Sequence, residues 1–221
     1  MTSKLKRKFF NRSTLMVTKD LLGKLLVRRL GKKIISGKIV EVEAYIGPKD
    51  RASHAFGNKK TKRNEAEYLI GGHIYIYLVY GMHWQFNIVT GKEGSPECVL
   101  IRALEPAVAN RHECSTRLDP PVKARRANGT NKKFVKIRDK LVKISELTNG
   151  PGKLCKWLGL NKSFNAEDLA ESQRIWLEDG AKIKKEQIIA SKRIGIDYAG
   201  KYWANKKWRF YIKDNKFVSK L

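Results

Sequence analysis

Short apolar runs separated by turn-forming residues follow one another through the first half of the chain. Leucine, β-branched and aromatic residues dominate the runs, while glycine and proline lie in the gaps, which is typical of strands joined by hairpins. The longest run contains Gly37, which is expected to break it. The predicted strands are Leu25–Leu30, Ile34–Ile46, His73–Tyr80, Met82–Val89 and Cys98–Leu104.

Helical patterns are fewer and lie apart from these runs. Ser13 or Thr14 can cap one short amphipathic helix that ends near Gly23, and another helix is predicted over 153–158, after a cluster of glycine and proline. A second strand pair, 187–195 with 208–218, is predicted near the C-terminus. Strands in hairpin succession, with helices grouped rather than alternating, indicate an α+β fold with a mostly antiparallel sheet. No clear linker divides the chain, so we predict one domain.

Basic residues greatly outnumber acidic ones, with 47 Lys and Arg against 21 Asp and Glu, a formal net charge of +26. Because 42% of the residues are hydrophobic, the chain can bury a core, and the charge belongs to the surface of a folded body. A fold with this much self-repulsion usually binds a polyanion, either nucleic acid or an anionic membrane surface. Two stretches concentrate the charge: a basic N-terminal arm, 1–8, and the segment 120–145, which is either a DNA contact or a solvated loop.

Several classes of protein are excluded by what the sequence lacks. Its three cysteines, Cys98, Cys114 and Cys155, are widely spaced and form no CxxC pair, which argues against a disulfide framework or a zinc ribbon. No apolar run approaches the roughly 18 residues of a membrane span, and the basic N-terminus has no signal-peptide core. Nucleotide-loop, dinucleotide and hydrolase-elbow motifs are missing, and the four histidines match no ligand spacing. We therefore expect a soluble, intracellular protein that binds nucleic acid without a metal or cofactor.

Two carboxylates and a tyrosine share one face of the run 39–46. The two-residue period of a strand places Glu41, Glu43 and Tyr45 together, and the apolar residues between them on the opposite face. The ordinary interpretation is a sheet with one solvated face. The alternative is a chemical role, since a carboxylate in so basic a protein would otherwise only repel DNA.

Arg102 is the one charged residue within the apolar run 98–104. An arginine in such a strand is rarely buried without a carboxylate or phosphate partner. Glu43 is the candidate partner of greatest interest. Glu105, or solvent at the end of the strand, is the ordinary alternative.

Aromatic residues crowd positions 75–86. They fit either a packed strand pair or a surface for stacking nucleic-acid bases. If the chain turns at Tyr80 and Gly81, then Tyr80 stands at a hairpin tip, where a bulky side chain can act as a wedge between bases. The residues are Tyr75, Tyr77, Tyr80, Trp84 and Phe86.

Taken in order, these residues resemble the alkyladenine (3-methyladenine) DNA glycosylase family. The resemblance covers nearly the whole chain after about Phe9, and it is the order and spacing of its strings that make it specific. The strings are VEVEAYIGP at 40–48, SH at 53–54, TKRN at 61–64, YIYLVYGM at 75–82, FNI at 86–88, VLIRALEP at 99–106, NGPGKLC at 149–155, NKSF at 161–164 and RFY at 209–211.

The resemblance implies a single α+β domain over 1–221, built on a curved, mostly antiparallel sheet with surrounding helices. It implies a monofunctional enzyme that flips a damaged purine out of double-stranded DNA, hydrolyses its N-glycosidic bond and leaves an abasic site. Substrates implied in this way are 3-methyladenine, 7-methylguanine, hypoxanthine and ethenoadenine. The enzyme would be a monomer that needs no cofactor, metal or membrane. It would work in the cytoplasm at the nucleoid of a bacterium, or in a eukaryotic nucleus.

Roles at the reaction centre are also implied by the resemblance, residue by residue. Glu43 corresponds to the general base that activates water, and Arg102 to the arginine that positions that water. Tyr45 would stack on one face of the extruded base. His54 and Tyr77 would cover its other face.

Further positions correspond to residues that select the base and hold the DNA. Asn87 would screen out normal guanine by crowding its exocyclic amine. Tyr80 would fill the gap left in the duplex, with Met82 beside it. Phosphate contacts are implied for Lys59, Lys60 and Arg63.

Two other functions fit parts of the sequence. A non-enzymatic basic module that binds RNA or DNA explains the charge and the aromatic residues, but it gives Glu43 and Arg102 no task. A bifunctional glycosylase and lyase with a lysine nucleophile is also compatible with so many lysines. Both alternatives predict outcomes that base-release and trapping assays distinguish.

Overall fold

The computed structural model describes residues 3–107, 134–137 and 140–219. These residues form four α-helices: α1 (Arg7–Phe10), α2 (Thr14–Leu21), α3 (Pro151–Leu158) and α4 (Lys201–Ala204). They also form ten strands, which are β1 (Leu25–Leu30), β2 (Lys33–Ile46), β3 (Ile74–Val79), β4 (His83–Val89), β5 (Glu97–Pro106), β6 (Phe134–Ile137), β7 (Lys140–Lys143), β8 (Ile175–Glu178), β9 (Ile188–Ser191) and β10 (Arg209–Ile212).

One antiparallel sheet organises the fold, with strands in the order β3-β4-β5-β2-β1-β8. The 14-residue β2 is its central strand, because it pairs with β1, β5 and also β10, which in turn pairs with β9. A separate hairpin is formed by β6 and β7. The predicted α+β class with a curved, mostly antiparallel sheet is confirmed.

Most strand positions agree with the prediction, and the main correction concerns Gly37. The glycine does not break β2: it pairs with Leu26 on one side and Pro106 on the other. A Cβ at Gly37 would lie 3.0 Å from the Cβ of Leu104, so the glycine allows the close approach of β5 rather than ending the strand.

The strand pair predicted near the C-terminus is present but shorter at both strands. Only β9 and β10 are extended and paired, while the flanking residues form turns and short 3₁₀ segments. Strand β8, which pairs with β1, was not predicted.

Helices α2 and α3 cover one face of the sheet and build the core against β2, β4 and β5. Pro151 opens α3, two residues before the predicted start, because proline is tolerated in the first helical turn, and the left-handed Gly159 ends the helix. Helix α2 begins at Thr14 without a side-chain cap from Ser13. Side chains buried in this core include Phe10, Val17, Leu21, Leu26, Ile39, Val42, Phe86, Ile101, Leu104, Leu154 and Phe164.

A bulge in β2 lies beside the residues of greatest chemical interest. The pairing of β2 with β5 shifts register between Ile39 and Glu41, and again between Glu41 and Val42. Arg102 lies on β5 between the partners of Glu41 and Val42. Bulges bend a strand and re-aim its side chains, and this one brings Arg102 against the acidic face of β2.

Some predictions fall largely outside the described residues. Most of the basic segment 120–145 lies there, and so does Cys114. Cys98 and Cys155 are both buried with free thiols. Within the described ranges, none of the helices is long and apolar enough to cross a bilayer.

Candidate active site

The acidic face of β2 is buried rather than solvated. Glu41 and Glu43 are both 0% exposed, which makes the ordinary interpretation of this strand wrong. Ionised carboxylates are seldom buried without cations or hydrogen-bond donors. The groups that surround the two glutamates therefore decide what each of them can do.

Arg102 lies between the two carboxylates. Its Nε is 3.0 Å from Oε1 of Glu41, and its Nη1 is 3.3 Å from Oε1 of Glu43. The predicted pairing of Arg102 with Glu43 is thus confirmed. Glu105 instead pairs with Lys38, whose Nζ is 2.7 Å from its carboxylate.

Glu41 has donors on both of its oxygens. Besides Arg102, it accepts hydrogen bonds from Arg209 Nε at 2.7 Å and from the Ser219 hydroxyl at 2.9 Å on Oε1, while the Ser219 backbone N–H reaches Oε2 at 2.7 Å. So many donors fix Glu41 in place. It acts as the anchor of the arginine pair rather than as a reacting group.

Glu43 has a different environment. Its Oε1 accepts the backbone N–H of Ile194 at 2.8 Å, and its Oε2 accepts the Tyr45 hydroxyl at 3.0 Å. Burial raises the pKa of Glu43 above its ordinary value, although Arg102 and these two donors oppose that shift. A carboxylate with a raised pKa is a stronger base, which is the property that proton abstraction from water requires.

Tyr45 is held in place from behind by an ion pair that the sequence did not reveal. The guanidinium carbon of Arg193 lies 4.7 Å from the centroid of the Tyr45 ring. Arg193 in turn makes two hydrogen bonds, of 2.5 and 2.9 Å, to Asp50, and both side chains are fully buried. One face of Tyr45 is therefore occupied by protein, and its position is rigidly defined.

A small cavity opens beside Tyr45. The unfilled volume between its walls is about 10 Å³, close to that of one water molecule. A purine can enter only when the walls move apart. The described residues that line it are Tyr45, Ala52, Ser53, His54, Glu67, Tyr75, Tyr77, Asn87 and Cys98.

His54 and Tyr77 form the side of this cavity across from Tyr45. Their ring centroids are 4.6 Å apart, and Nδ1 of His54 is 2.7 Å from the Tyr75 hydroxyl. The His54 ring is exposed on one side, yet its partial burial, reinforced by Arg63, lowers its pKa to about 4. His54 is therefore neutral near pH 7 and offers an uncharged ring to a stacked base.

Asn87 is rigidly placed at the base of the cavity. Its Nδ2 donates to the carbonyl oxygens of Tyr75 at 3.1 Å and Gln85 at 3.2 Å, and the side chain is 2% exposed. The amide lies near the Cys98 thiol, with 3.9 Å between Sγ and Oδ1. A side chain fixed in this way can exclude a ligand that carries one additional group.

Tyr80 projects from the tip of the hairpin that joins β3 to β4. Tyr80 has a positive φ of 51° and is 87% exposed, and the φ of the following Gly81 is also positive, at 68°. Tyr80 and Gly81 are the central residues of a tight turn that the Met82 N–H closes on the Val79 carbonyl at 3.1 Å, and a tyrosine adopts positive φ there with some strain. Met82 beside it is 71% exposed, so the tip presents two bare apolar side chains.

The predicted phosphate contacts lie on the loop after His54, and all three side chains are exposed. Arg63 lies over the Tyr77 ring, at 5.3 Å, and Lys60 over the Tyr68 ring, at 5.2 Å. Lys59 lies on the same loop, and its backbone carbonyl accepts a hydrogen bond from Nδ2 of the buried Asn64 at 2.8 Å. The loop is thus fastened from within while its cationic groups face outward.

Two lining residues were missed by the sequence reasoning. Glu67 lies in a stretch of polar residues that gives no sign of burial, and Cys98 was noted only as a strand neighbour of Arg102. In the part of the chain that the structure describes, no group of three or more His, Cys, Asp or Glu side chains could hold a metal ion.

The site can be set beside known proteins. A model of the methylpurine-DNA glycosylase family matches residues 8–216. Proteins of Natranaerobius thermophilus and Clostridium novyi are each 44% identical to this chain, over 216 and 220 residues, and the matches cover 98% of both partners. A protein of Borrelia garinii is 42% identical over 214 residues, 97% of this chain and 98% of the relative. All three are provisionally named 3-methyladenine DNA glycosylases. The resemblance seen in the sequence is confirmed: the chain belongs to the methylpurine-DNA glycosylase family and is a DNA glycosylase.

Proposed function

We propose that this chain is a monofunctional glycosylase that flips a damaged purine out of duplex DNA, hydrolyses its N-glycosidic bond and leaves an abasic site. The observation that carries the proposal is Glu43, a buried carboxylate held by Arg102, the Ile194 N–H and the hydroxyl of Tyr45, whose side chain lines an aromatic cavity. A binding module would have no use for such a group, because burying a carboxylate is costly.

Stacking supplies the selectivity for damaged bases in this proposal. Methylation at N3 or N7 gives a purine a positive charge, and a cation is attracted to the electron-rich faces of tyrosine rings. Tyr45 and Tyr77 provide those faces, and His54 is neutral because its pKa is about 4. A protonated histidine would repel a cationic base, so its low pKa favours alkylated purines.

The chemical step follows from the environment of Glu43. As the bond between C1′ and the purine nitrogen lengthens, its electron pair leaves with the base and positive charge develops on the sugar. Water attacks C1′, and Glu43 accepts the proton that this water loses. Arg102 holds the carboxylate and the water in place. No covalent intermediate with the enzyme is needed.

Base flipping and DNA binding are assigned to the exposed groups. Extruding a base costs a few kcal/mol, and filling the gap with Tyr80 offsets part of that cost. The surplus of lysine and arginine binds phosphates without regard to sequence, in a salt-dependent manner suited to a search for rare lesions. The relatives come from bacteria, and we assign the protein to the cytoplasm, at the nucleoid, as a monomer.

Several lesions fit the proposal. The relatives are named for 3-methyladenine, which is cationic, as is 7-methylguanine. Hypoxanthine and ethenoadenine are neutral and need a proton as they leave. None of the described residues that line the cavity is a lysine, which favours simple hydrolysis over a lyase mechanism.

The test compares wild type with Glu43→Gln in single-turnover assays on methylated duplex DNA and on a duplex with one hypoxanthine. We expect the variant to release base about 10²–10⁴ times more slowly, the usual contribution of a positioned base, while it still binds lesion DNA. Strands should break only after alkali treatment.

Glu105→Gln is the matched control, because it removes the same charge from a carboxylate that pairs with Lys38 rather than with Arg102. Near-normal turnover in Glu43→Gln would sink the general-base role. DNA binding by the wild type without release of any base would favour the binding module, and borohydride trapping of an enzyme–DNA adduct would favour the lyase.

A further inference from the structure

A second carboxyl group lies in the cavity wall, and the mechanism above does not use it. Glu67 belongs to a short 3₁₀ turn, Glu65–Tyr68, and is 2% exposed. Its side chain lines the same cavity as Tyr45 and Tyr77. Its neighbour Ala66 and its hydrogen-bond partner Cys98 belong to one buried cluster with Tyr75.

The hydrogen bonds of Glu67 are incomplete. Its Oε1 receives a weak hydrogen bond from the Cys98 thiol, with Sγ at 3.5 Å, while its buried Oε2 has no hydrogen-bond partner among the described residues. Burial outweighs the Cys98 thiol and the side chain of nearby Asn64, which both act against the rise in the pKa of Glu67, and the Asn64 Nδ2 makes its hydrogen bonds to the carbonyls of His54 and Lys59. One oxygen of Glu67 is therefore left for a ligand.

The groups that face Glu67 from the surrounding elements carry no charge near pH 7. Tyr68 lies on its own turn, Tyr75 and Tyr77 on β3, and Cys98 on β5; burial raises the pKa of each of them above its ordinary value. No ion pair of Glu67 with a cation is found in the described ranges. An unpaired carboxylate at this depth is strongly disfavoured. Burial accordingly raises the pKa of Glu67 to about 8.

We propose that Glu67 is a second catalytic residue, the acid that protonates a neutral purine as it leaves. The inference rests on the proposed function, because it assumes that a base enters this cavity. It extends that function by assigning hypoxanthine and other uncharged purines to a step that Glu43 cannot perform. The assignment follows from the free, buried Oε2 in the cavity wall.

The step balances as follows. The bond between C1′ and the purine breaks with its electron pair on the purine, which takes the Glu67 proton at a ring nitrogen or carbonyl oxygen. Water adds to C1′ and gives its proton to Glu43. Glu67 ends as a carboxylate and Glu43 as an acid, and exchange with solvent restores both. A cationic purine needs no such donor, since breaking the bond already makes it neutral.

The two glutamates are suited to opposite tasks by their surroundings. Arg102 and two further donors favour the ionised form of Glu43, whereas apolar and uncharged neighbours favour the protonated form of Glu67. Acid and base catalysis in one site requires environments that favour the protonated form of one carboxyl group and the ionised form of the other.

The experiment measures single-turnover release of hypoxanthine from a defined duplex and of 3-methyladenine and 7-methylguanine from methylated DNA. For Glu67→Gln we expect hypoxanthine release to fall about 10²-fold or more, while release of the cationic bases stays within about threefold. Glu65→Gln, an exposed neighbour on the same turn, is the matched control and should leave both rates unchanged. Wild-type release of hypoxanthine should decline above about pH 8, and Glu67→Gln should lack that decline.

The outcomes separate this inference from the function on which it rests. Release of no base at all by the wild type would overturn the proposed function, and release of cationic bases alone would overturn the role of Glu67 only. Equal losses on both substrates would indicate a packing role for Glu67. An unchanged hypoxanthine rate in Glu67→Gln, combined with a loss in Glu67→Met, would mean that Glu67 donates a hydrogen bond but transfers no proton, and it too would overturn the proposal.

Discussion

Glu41 and Glu67 are buried to nearly the same degree, at 0% and 2% exposure, but they lie in opposite surroundings. Glu41 is held by two arginines and by two donors from Ser219. Glu67 is surrounded by tyrosine and cysteine side chains, and one of its oxygens has no partner in the part of the chain that the structure describes. Burial alone therefore says little about the charge of a carboxyl group, and its neighbours decide it.

Glu43 lies between these extremes, and that position suits the role of base that we propose for it. It has a cation, but the contact with Arg102 is longer than that of Glu41, 3.3 Å against 3.0 Å. Burial raises its pKa, while Arg102 and its hydrogen-bond donors act against that rise, so that Glu43 has both a cation that favours its charge and an increased basicity. The three glutamates thus form a series from anchor to base to acid.

Removal of the cation should have the largest effect on this series. Arg102→Met leaves Glu43 without its cation beside Glu41, and breaking a buried ion pair in this way costs about 3–5 kcal/mol of stability. Urea denaturation at pH 7 measures the change in the free energy of unfolding. The loss should shrink at acid pH, as Glu43, whose pKa is raised by burial, becomes protonated.

Lys38→Met is the matched control for that measurement. It breaks the partly exposed pair with Glu105, and such pairs contribute about 0–1 kcal/mol. A similar small loss in both variants would show that the arginine is not what holds the acidic face of β2.

Glu67 should also make the stability of the protein depend on pH, here through burial of an unpaired carboxyl group rather than through an ion pair. Because the pKa of Glu67 is about 8 when folded and near its ordinary value when unfolded, the folded state binds more protons between those values. Its contribution to stability is therefore complete at low pH and is lost as the pH rises, by about 1.4 kcal/mol per unit. Between pH 5 and 7, Glu67→Gln should lose about 2.5 kcal/mol less stability than wild type.

Denaturation at several pH values tests this slope, with Glu65→Gln as the control that removes an exposed carboxyl from the same turn. Parallel stability curves for wild type and Glu67→Gln would mean that Glu67 is ionised in the folded protein. That result would also remove the basis for its role as an acid.

The parts of the site that follow from local sequence patterns were predicted from the sequence. A single arginine in an apolar strand needs a carboxylate, and the two-residue period of β2 placed Glu43 on a face where it could meet Arg102. The strand and turn pattern similarly located the hairpin that carries Tyr80. Each of these inferences uses residues close in the chain or paired across neighbouring strands.

The remaining parts depend on contacts that no local pattern records. Arg193 meets Asp50 across 143 positions, and Glu67 lies in a polar stretch that reads as an exposed loop. Gly37 was misread because its lack of a side chain serves the approach of β5, a tertiary effect rather than a break in the strand. Burial of polar residues by distant parts of the chain is what sequence patterns could not show.

The smallest expected effect concerns Glu43. It is measured as the pH dependence of the release of 7-methylguanine, a cationic base that needs no acid to leave. Glu43 acts only when ionised, and its pKa is raised by burial, so the rate should fall with acidity, tenfold per unit below that pKa. Tyr45→Phe keeps the aromatic ring but removes the hydroxyl that donates to Oε2 at 3.0 Å. Since that donor stabilises the ionised form, its loss should move the fall in rate to higher pH by less than about one unit. A profile that is flat from pH 5 to 8, or that Tyr45→Phe leaves in place, would mean that Glu43 is not the base whose titration limits the reaction.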